Sequence, residues 1–429
     1  MIARLALRRI FESAAHRGLG GIVVVFADGT TYKSRPEEPP RVLIRFKTAA
    51  AERHTMLFFF EGLFESYVDG GVDLEGEAPV MTLARMGHDI KMAPAAFWQN
   101  ALRNPLVATR QWLQELRQSN ADRAQSIRNA EFHYSLHPAL FEHMLGPTVG
   151  YSEGFWTADT RTLSQANFNN YEYVCRKLRL QPGMKVLEVG PGWGYHPIYM
   201  VKRYDVDVTV YNPVRRQNDY MRERFARHGV AGRIRLVEGD FRDIAAEAGR
   251  FDRFVSIGVH EHAGYGLRQY RLWPRAIAAA LKDGGAGVVS TTSFMVRQMT
   301  NLLTLKYIFP GGHLPSLPDT LTAFDAAGLM LVDVENRWPH YRRTVDVWRK
   351  NFAAHWPEIR QADPAAFTET FRRAWTMYLE GTVEVFRDSL DLSHIVFTKG
   401  RSAENFPPLR GDEARTHMIG GDAEPECYR

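Results

Sequence analysis

The chain has 429 residues, of which 45% are hydrophobic and 24% charged, with a formal net charge of +5. Such a balance excludes a disordered chain, and the length exceeds one typical domain, so two packed domains are expected. No apolar run approaches the ~20 residues that cross a bilayer, and the opening MIARLALRRIFESAAHRG lacks the apolar core and cleavage site of a signal peptide, which places the protein in the cytoplasm.

Only two cysteines occur, Cys175 and Cys427, without metal-ligand spacing, so neither a disulfide framework nor a metal site is expected. The mild basic excess suits an acidic partner, anionic lipid or nucleic acid. Aromatic residues at 12% lean toward a ligand that is apolar or planar.

Residues 1–95 read as one α+β unit. Ala3 to Ala15 has helical periodicity, with Arg4, Arg8 and Arg9 on its polar side. GIVVVFADGTTYKSR is two strand-like runs about Asp28-Gly29, a hairpin signal. RVLIRFKT reads as a further strand, and the patch with Phe58, Phe59, Phe60, Leu63 and Phe64 is either a small core or a lipid contact. Residues 96–130 read as a helical connector broken at Asn104-Pro105, whose polar stretch QSNADRAQSIRN is a domain boundary or a mobile lid. His133, Tyr134, His137 and His143 follow with no common ligand spacing, and are read as packing or substrate contacts.

From 171 onward helices and strands alternate, the mark of a doubly wound α/β sheet. Its first strand is KVLEV, which stops at Gly190, Gly192 and Gly194 before the helix-forming YHPIYMVKRY. A strand, a glycine turn and a helix N-terminus make a cradle for a nucleotide-type ligand. A dinucleotide fold would show G-x-G-x-x-G and an acid about 20 residues on. Here the spacing is G-x-G-x-G, and Asn212 ends the second strand. Glu188 in the first strand and Asp240 after the third are the acids an S-adenosyl-L-methionine site needs, one for an ammonium end and one for the adenine amine, with Phe241 as apolar neighbour. Asp240 as a helix N-cap stays open beside that role.

The blocks YSEGFWTADTRTL, LRLQPGMKVLEVGPGWG, FDRFVSIGVHEHAG, LKYIFPGGHLPS and AAHWPEIR resemble, in order, the cyclopropane-fatty-acyl-phospholipid synthases. The resemblance spans 131–400, and GLFESYVDGG resembles that family's N-terminal lipid-binding domain. It implies a Rossmann-like methyltransferase sheet with a smaller N-terminal α+β lipid-binding domain, and a C-terminal tail over 401–429. It also implies a cytoplasmic protein peripheral at the inner membrane surface, a homodimer, no nucleic-acid partner, and transfer to unsaturated phospholipid acyl chains through a carbocation that loses a proton to a base.

Residue by residue, the resemblance implies that Tyr151, Ser152, Gly190, Gly192, Gly194, Asn212, Gln217, Asp240, Phe241 and Gly258 contact the cofactor. It makes Glu261 the essential glutamate and Tyr341 a tyrosine that helps hold a bicarbonate base. Two other positions of the implied bicarbonate pocket carry Pro191 and Ser290 instead of cysteine and histidine. Proline offers no donor to an anion, so a bicarbonate is not expected, and Glu261 or His260 is read as the base itself, with His260 as a packing residue left open. Tyr151, Phe155, Trp156, Tyr265, Tyr307, Phe309 and Tyr341 could shield a cation, most of them doubling as core. Alternatives are a methyl-branched or methylene product, a small-molecule methyltransferase, which the apolar N-terminal unit disfavours, and a lipid-binding protein with a decayed site.

Overall fold

The structure, a computed structural model, describes residues 2–15, 21–88, 104–264, 267–402 and 406. Its contacts divide the chain into two compact units. The first joins residues 1–117, 299–308 and 352–389, and the second joins 118–298, 309–351 and 390–429. The units are therefore discontinuous, unlike the consecutive division read from the sequence. The first break falls at Arg117/Gln118, where the polar stretch begins.

In the first unit a four-stranded sheet has the order β2-β1-β3-β4, with β1 at Gly21–Val25, β2 at Thr31–Lys33, β3 at Pro40–Phe46 and β4 at Val72–Glu75. β1 and β2 pair antiparallel, the expected hairpin. Its turn needs Gly29, whose φ is +86°. Alternation along β1 and β3 sends Ile22, Val24, Val42 and Ile44 into a core with Leu7, Phe11, Leu63 and Val68. The Phe-rich run lies in helix Ala49–Val68, which Thr48 caps and which kinks at Phe59, where φ is +52°. Gly62 makes that kink possible, because a Cβ there would lie 2.4 Å from the His54 carbonyl oxygen. Of the aromatic patch, Phe64 is buried while Phe59 is 39% exposed. The same helix carries Glu65, 1% exposed and engaged by His54 Nε2 at 2.8 Å, by both Nη atoms of Arg110, and by Lys306 Nζ at 3.0 Å. Burial alone would raise the Glu65 carboxyl, but hydrogen bonds from Arg110, Lys306 and His54 hold it at about 2.

The second unit holds a seven-stranded sheet of order β10-β11-β9-β8-β5-β6-β7. Its strands are β5 (Lys185–Val189), β6 (Asp207–Asn212), β7 (Ile234–Glu238), β8 (Phe251–Ile257), β9 (Leu281–Ser293), β10 (Leu329–Asn336) and β11 (Asp391–Lys399). β5 to β9 run parallel, and β11 pairs antiparallel with both β9 and β10. β5 lies between β6 and β8, so the chain reverses its strand order there, and the carboxyl end of β5 is where such a sheet binds ligands. Strand runs such as VLEV are buried on both faces, as parallel strands between helix layers require. No described helix is long and apolar enough to cross a membrane.

Candidate active site

Glu188 ends β5 with its Oε1 3.0 Å from His196 Nδ1, and its Oε2 is buried without a partner. Beyond it Gly190, Gly192 and Gly194 all take positive φ, at 72°, 57° and 86°. A Cβ on Gly190 would meet Val259 Cγ2 at 2.2 Å, so the turn is open to a ligand only because it is glycine. Gly194 caps helix Tyr195–Tyr204 and packs on Met221.

Around this turn a cavity of about 1030 Å³, counting its mouth, is lined by the ends of β5, β6 and β8 and the turn after β7. Of the cofactor residues read from the sequence, Tyr151, Ser152, Glu188, Gly190, Gly192, Asn212, Gln217, Asp240, Phe241 and Gly258 line it, and Gly194 does not. Asn212 Nδ2 donates to Asn218 Oδ1 at 2.9 Å and to Gln217 Oε1 at 3.2 Å, which fixes the β6 corner. Asp240 caps the short helix Phe241–Glu247, accepting from Arg242 N at 3.0 Å and Arg242 Nη1 at 2.7 Å. It is thus an N-cap and a pocket residue at once. Tyr134, Tyr171, Trp193, His196 and His262 also line the cavity and were not singled out for the cofactor in the sequence.

The short helix His260–His262 follows β8, and three residues at one turn point three ways. His262 faces the cavity and meets Tyr134 Oη at 3.2 Å, with burial lowering its pKa to about 4. His260 turns into the core, its Nε2 3.1 Å from Thr320 Oγ1 and its ring against Phe324. Burial and His313 push its pKa down to about 3. It thus packs in the core and does not line the cavity, which favours the packing alternative left open for it over the base. Glu261 lies between them, half-buried, and its Oε1 accepts the Thr292 backbone N–H at 2.6 Å. Its Oε2 has no partner, and burial raises the carboxyl to about 7. Tyr341 does not line the cavity; it edges onto Trp348 at 5.7 Å, and Trp348 packs on the pocket residue Tyr151 at 5.1 Å.

The polar stretch before residue 130 is tied down rather than lid-like. Asn120 is 1% exposed, accepts from Asn129 Nδ2 at 2.6 Å and donates to the His262 carbonyl at 3.2 Å. Among the aromatic residues, Phe309 packs on His133 at 4.1 Å, while Phe155 stacks on His340 and under the Arg337 guanidinium. Tyr307 belongs to the first unit, and Tyr265 lies outside the described residues.

Ser290 gives the least expected contact. Its Oγ donates to Glu153 Oε1 at 3.1 Å, and the same oxygen meets His394 Nε2 at 2.5 Å. Ser290 and His394 are direct cross-strand partners on β9 and β11, so their side chains share a face, and Glu153 packs onto it. Glu153, His394 and Ser290 are all at most 1% exposed. Neither Glu153 nor His394 stands out in the sequence reading. The available signals were an acid directly after the Tyr151-Ser152 pair and a histidine inside the apolar strand run SHIVFTKG.

The family model of mycolic acid cyclopropane synthetase matches residues 121–395. The chain belongs to that family. The cyclopropane-fatty-acyl-phospholipid synthase of Escherichia coli K12 is 34% identical over 274 residues, 62% of this chain and 67% of that one. The tuberculostearic acid methyltransferase UfaA1 of Mycobacterium tuberculosis is 29% identical over 409 residues, 90% of this chain and 88% of its own. Among solved structures, the mycolic acid cyclopropane synthase CmaA1 complexed with SAH and CTAB superposes with a TM-score of 0.58 at 26% identity, covering 64% of this chain and 98% of that one. The synthetase fold is thus an S-adenosylmethionine-dependent methyltransferase, and S-adenosylmethionine is its cofactor. The cavity fits it. The partnerless Glu188 Oε2 is a buried acceptor for an ammonium group, and the turn's backbone lies open at Gly192, which lines the cavity without a side chain.

Proposed function

We propose that the protein transfers a methyl(ene) group from S-adenosylmethionine to the double bond of unsaturated acyl chains in membrane phospholipids, and that Glu153 is the base. The cofactor, when bound, supplies an electrophilic methyl group and leaves a cation on the acyl chain. Glu188 and the Asn212–Gln217 corner orient it, and Tyr151 and Phe241 wall it from water. A C–H bond next to the cation then breaks, its proton goes to a carboxylate, and its electron pair closes a ring or forms a methylene.

Glu153 directly follows the pocket residue Ser152 and does not itself line the cavity; the observation that carries its assignment as the base is the Ser290–Glu153 hydrogen bond. Ser290 stands at a position where the resemblance implies a group that holds bicarbonate. Here its hydroxyl is already spent on a carboxylate of the chain itself. Glu261, with a partnerless oxygen and a carboxyl near 7, is the second carboxylate at the end of β9 and poises the same region for proton transfer. Glu153→Gln tests this: turnover falls by about 100-fold or more while cofactor affinity holds within a few-fold, and activity is indifferent to added bicarbonate. Turnover that survives Glu153→Gln and rises with bicarbonate contradicts it.

The match with a tuberculostearic acid methyltransferase over 90% of this chain favours a second product, a methylene chain or, if the proton leaves the chain, a methyl-branched alkene, over a ring. The reading places the protein at the cytoplasmic membrane surface, as a homodimer. Helix Pro105–Arg117 supports the membrane part, because Leu106, Trp112, Leu113 and Leu116 lie exposed on one side of it.

A further inference from the structure

Behind Glu153 the second unit buries a charged row. His394 Nδ1 lies 3.4 Å from Lys177 Nζ, and Lys177 Nζ lies 2.5 Å from Glu335 Oε2, which also accepts from Tyr173 Oη at 2.8 Å. The Lys177 side chain is 2% exposed and that of His394 is 0%, whereas Glu335 reaches solvent at 21%. A lysine this deep is rare and needs a reason.

The hydrogen-bond directions supply one. An ammonium carries only donors, so Lys177 donates to His394 Nδ1. That leaves the imidazole proton on Nε2, and Nε2–H then donates to Glu153 Oε1, the oxygen that also accepts from Ser290. We propose that Lys177, acting through His394, is the positioning residue for the base: it selects the Nε2–H tautomer and holds Glu153 in its proton-accepting form. The proposal rests on the reading of Glu153 as the base.

The surroundings agree. Burial drives His394 well below its ordinary range and Lys177 and Arg337 drive it further, so the ring is neutral and has a single proton to place. Burial and Arg337 lower Lys177 while Glu335 and Asp333 oppose them, which leaves it at about 8 and so mostly an ammonium at neutral pH. Burial raises Glu153, and Arg337, Ser290 and Asn170 counter only part of that rise. Arg337 itself stacks on Phe155 and Tyr173, at 4.4 and 4.7 Å, and His340 is the remaining titratable group beside the row.

Two measurements test this on the full-length protein. In the unmodified protein, nitrogen NMR of the histidine rings should show His394 protonated on Nε2 and bare on Nδ1; the reverse tautomer overturns the proposal without any variant. Lys177→Met and His394→Leu should each move the acidic limb of the kcat profile upward by about half a pH unit or more, with KM for the cofactor within about twofold, and His394→Gln, which keeps an N–H donor, should restore most of kcat. Variants that lose thermal stability while the limb stays in place make the row structural ballast and overturn the proposal. If Glu153→Gln keeps its turnover, it is the reading of the base that fails, and the His394 tautomer still reports on the row separately.

Discussion

Two carboxylates in the molecule show what burial does without a partner and with several. Glu115 is 8% exposed on helix Pro105–Arg117, its Oε1 has no partner, and burial alone raises it to about 7. Glu65 in the same unit is buried more deeply and drops to about 2, because Arg110, Lys306 and His54 meet it. For a carboxyl raised in the folded state, the native protein binds more protons than the unfolded chain between about 4.5 and 7. Stability therefore falls as pH rises through that window. Glu115→Gln should leave the melting temperature nearly unchanged at pH 5 and raise it at pH 8, where up to about 3 kcal/mol of strain is removed. Thermal denaturation at the two pH values checks this, and an equal effect at both contradicts it. The same scale explains His260 and His262. Their spacing in the sequence is symmetrical about Glu261, yet one packs on Thr320 and the other faces the cavity, a distinction made by a single turn of backbone.

At the scale of elements, β5 and its glycine turn were legible because every local signal agrees. A short apolar run, glycines at positive φ and a helix start leave few alternatives. Gly190→Ala should therefore cost cofactor affinity at least about tenfold, since the φ of +72° and the contact at 2.2 Å both oppose a methyl group. Equilibrium binding of S-adenosylhomocysteine measures it, with Gly29→Ala, whose added Cβ meets nothing within 4 Å, as a control. The Glu153–Ser290–His394 cluster was not legible, for a physical reason. Its members lie on a loop, β9 and β11, more than 100 residues apart, and only the antiparallel pairing of β9 with β11 sets Ser290 beside His394. Periodicity reports which face of a strand is buried; it does not report the neighbouring strand's register. The substitution at Ser290 read as a loss, and the structure shows the acid that occupies its hydroxyl.

For the whole molecule, the doubly wound sheet was legible from alternating helices and strands, and the cofactor pocket followed from it, since ligands gather where strand order reverses. The division into units was less so. Residues 299–308 and 352–389 join the first unit through burial of Leu303, Ala374 and Met377 in its core, and hydrophobic periodicity is silent on which core receives a helix. The family and the cavity support one chemistry, S-adenosylmethionine-dependent methyl transfer to unsaturated acyl chains, to which the proposal adds loss of a proton to Glu153. The direct measurement is mass spectrometry of vesicles of unsaturated phospholipid after incubation with the protein and a cofactor whose methyl group is fully deuterated. The account predicts label in the acyl chains at the former double bond, with one deuterium lost if the proton leaves the new methyl group, giving a ring or a methylene, and none lost if it leaves the chain, giving a methyl-branched alkene. Unlabelled acyl chains from a folded, cofactor-binding protein, or label on the headgroup, would contradict it.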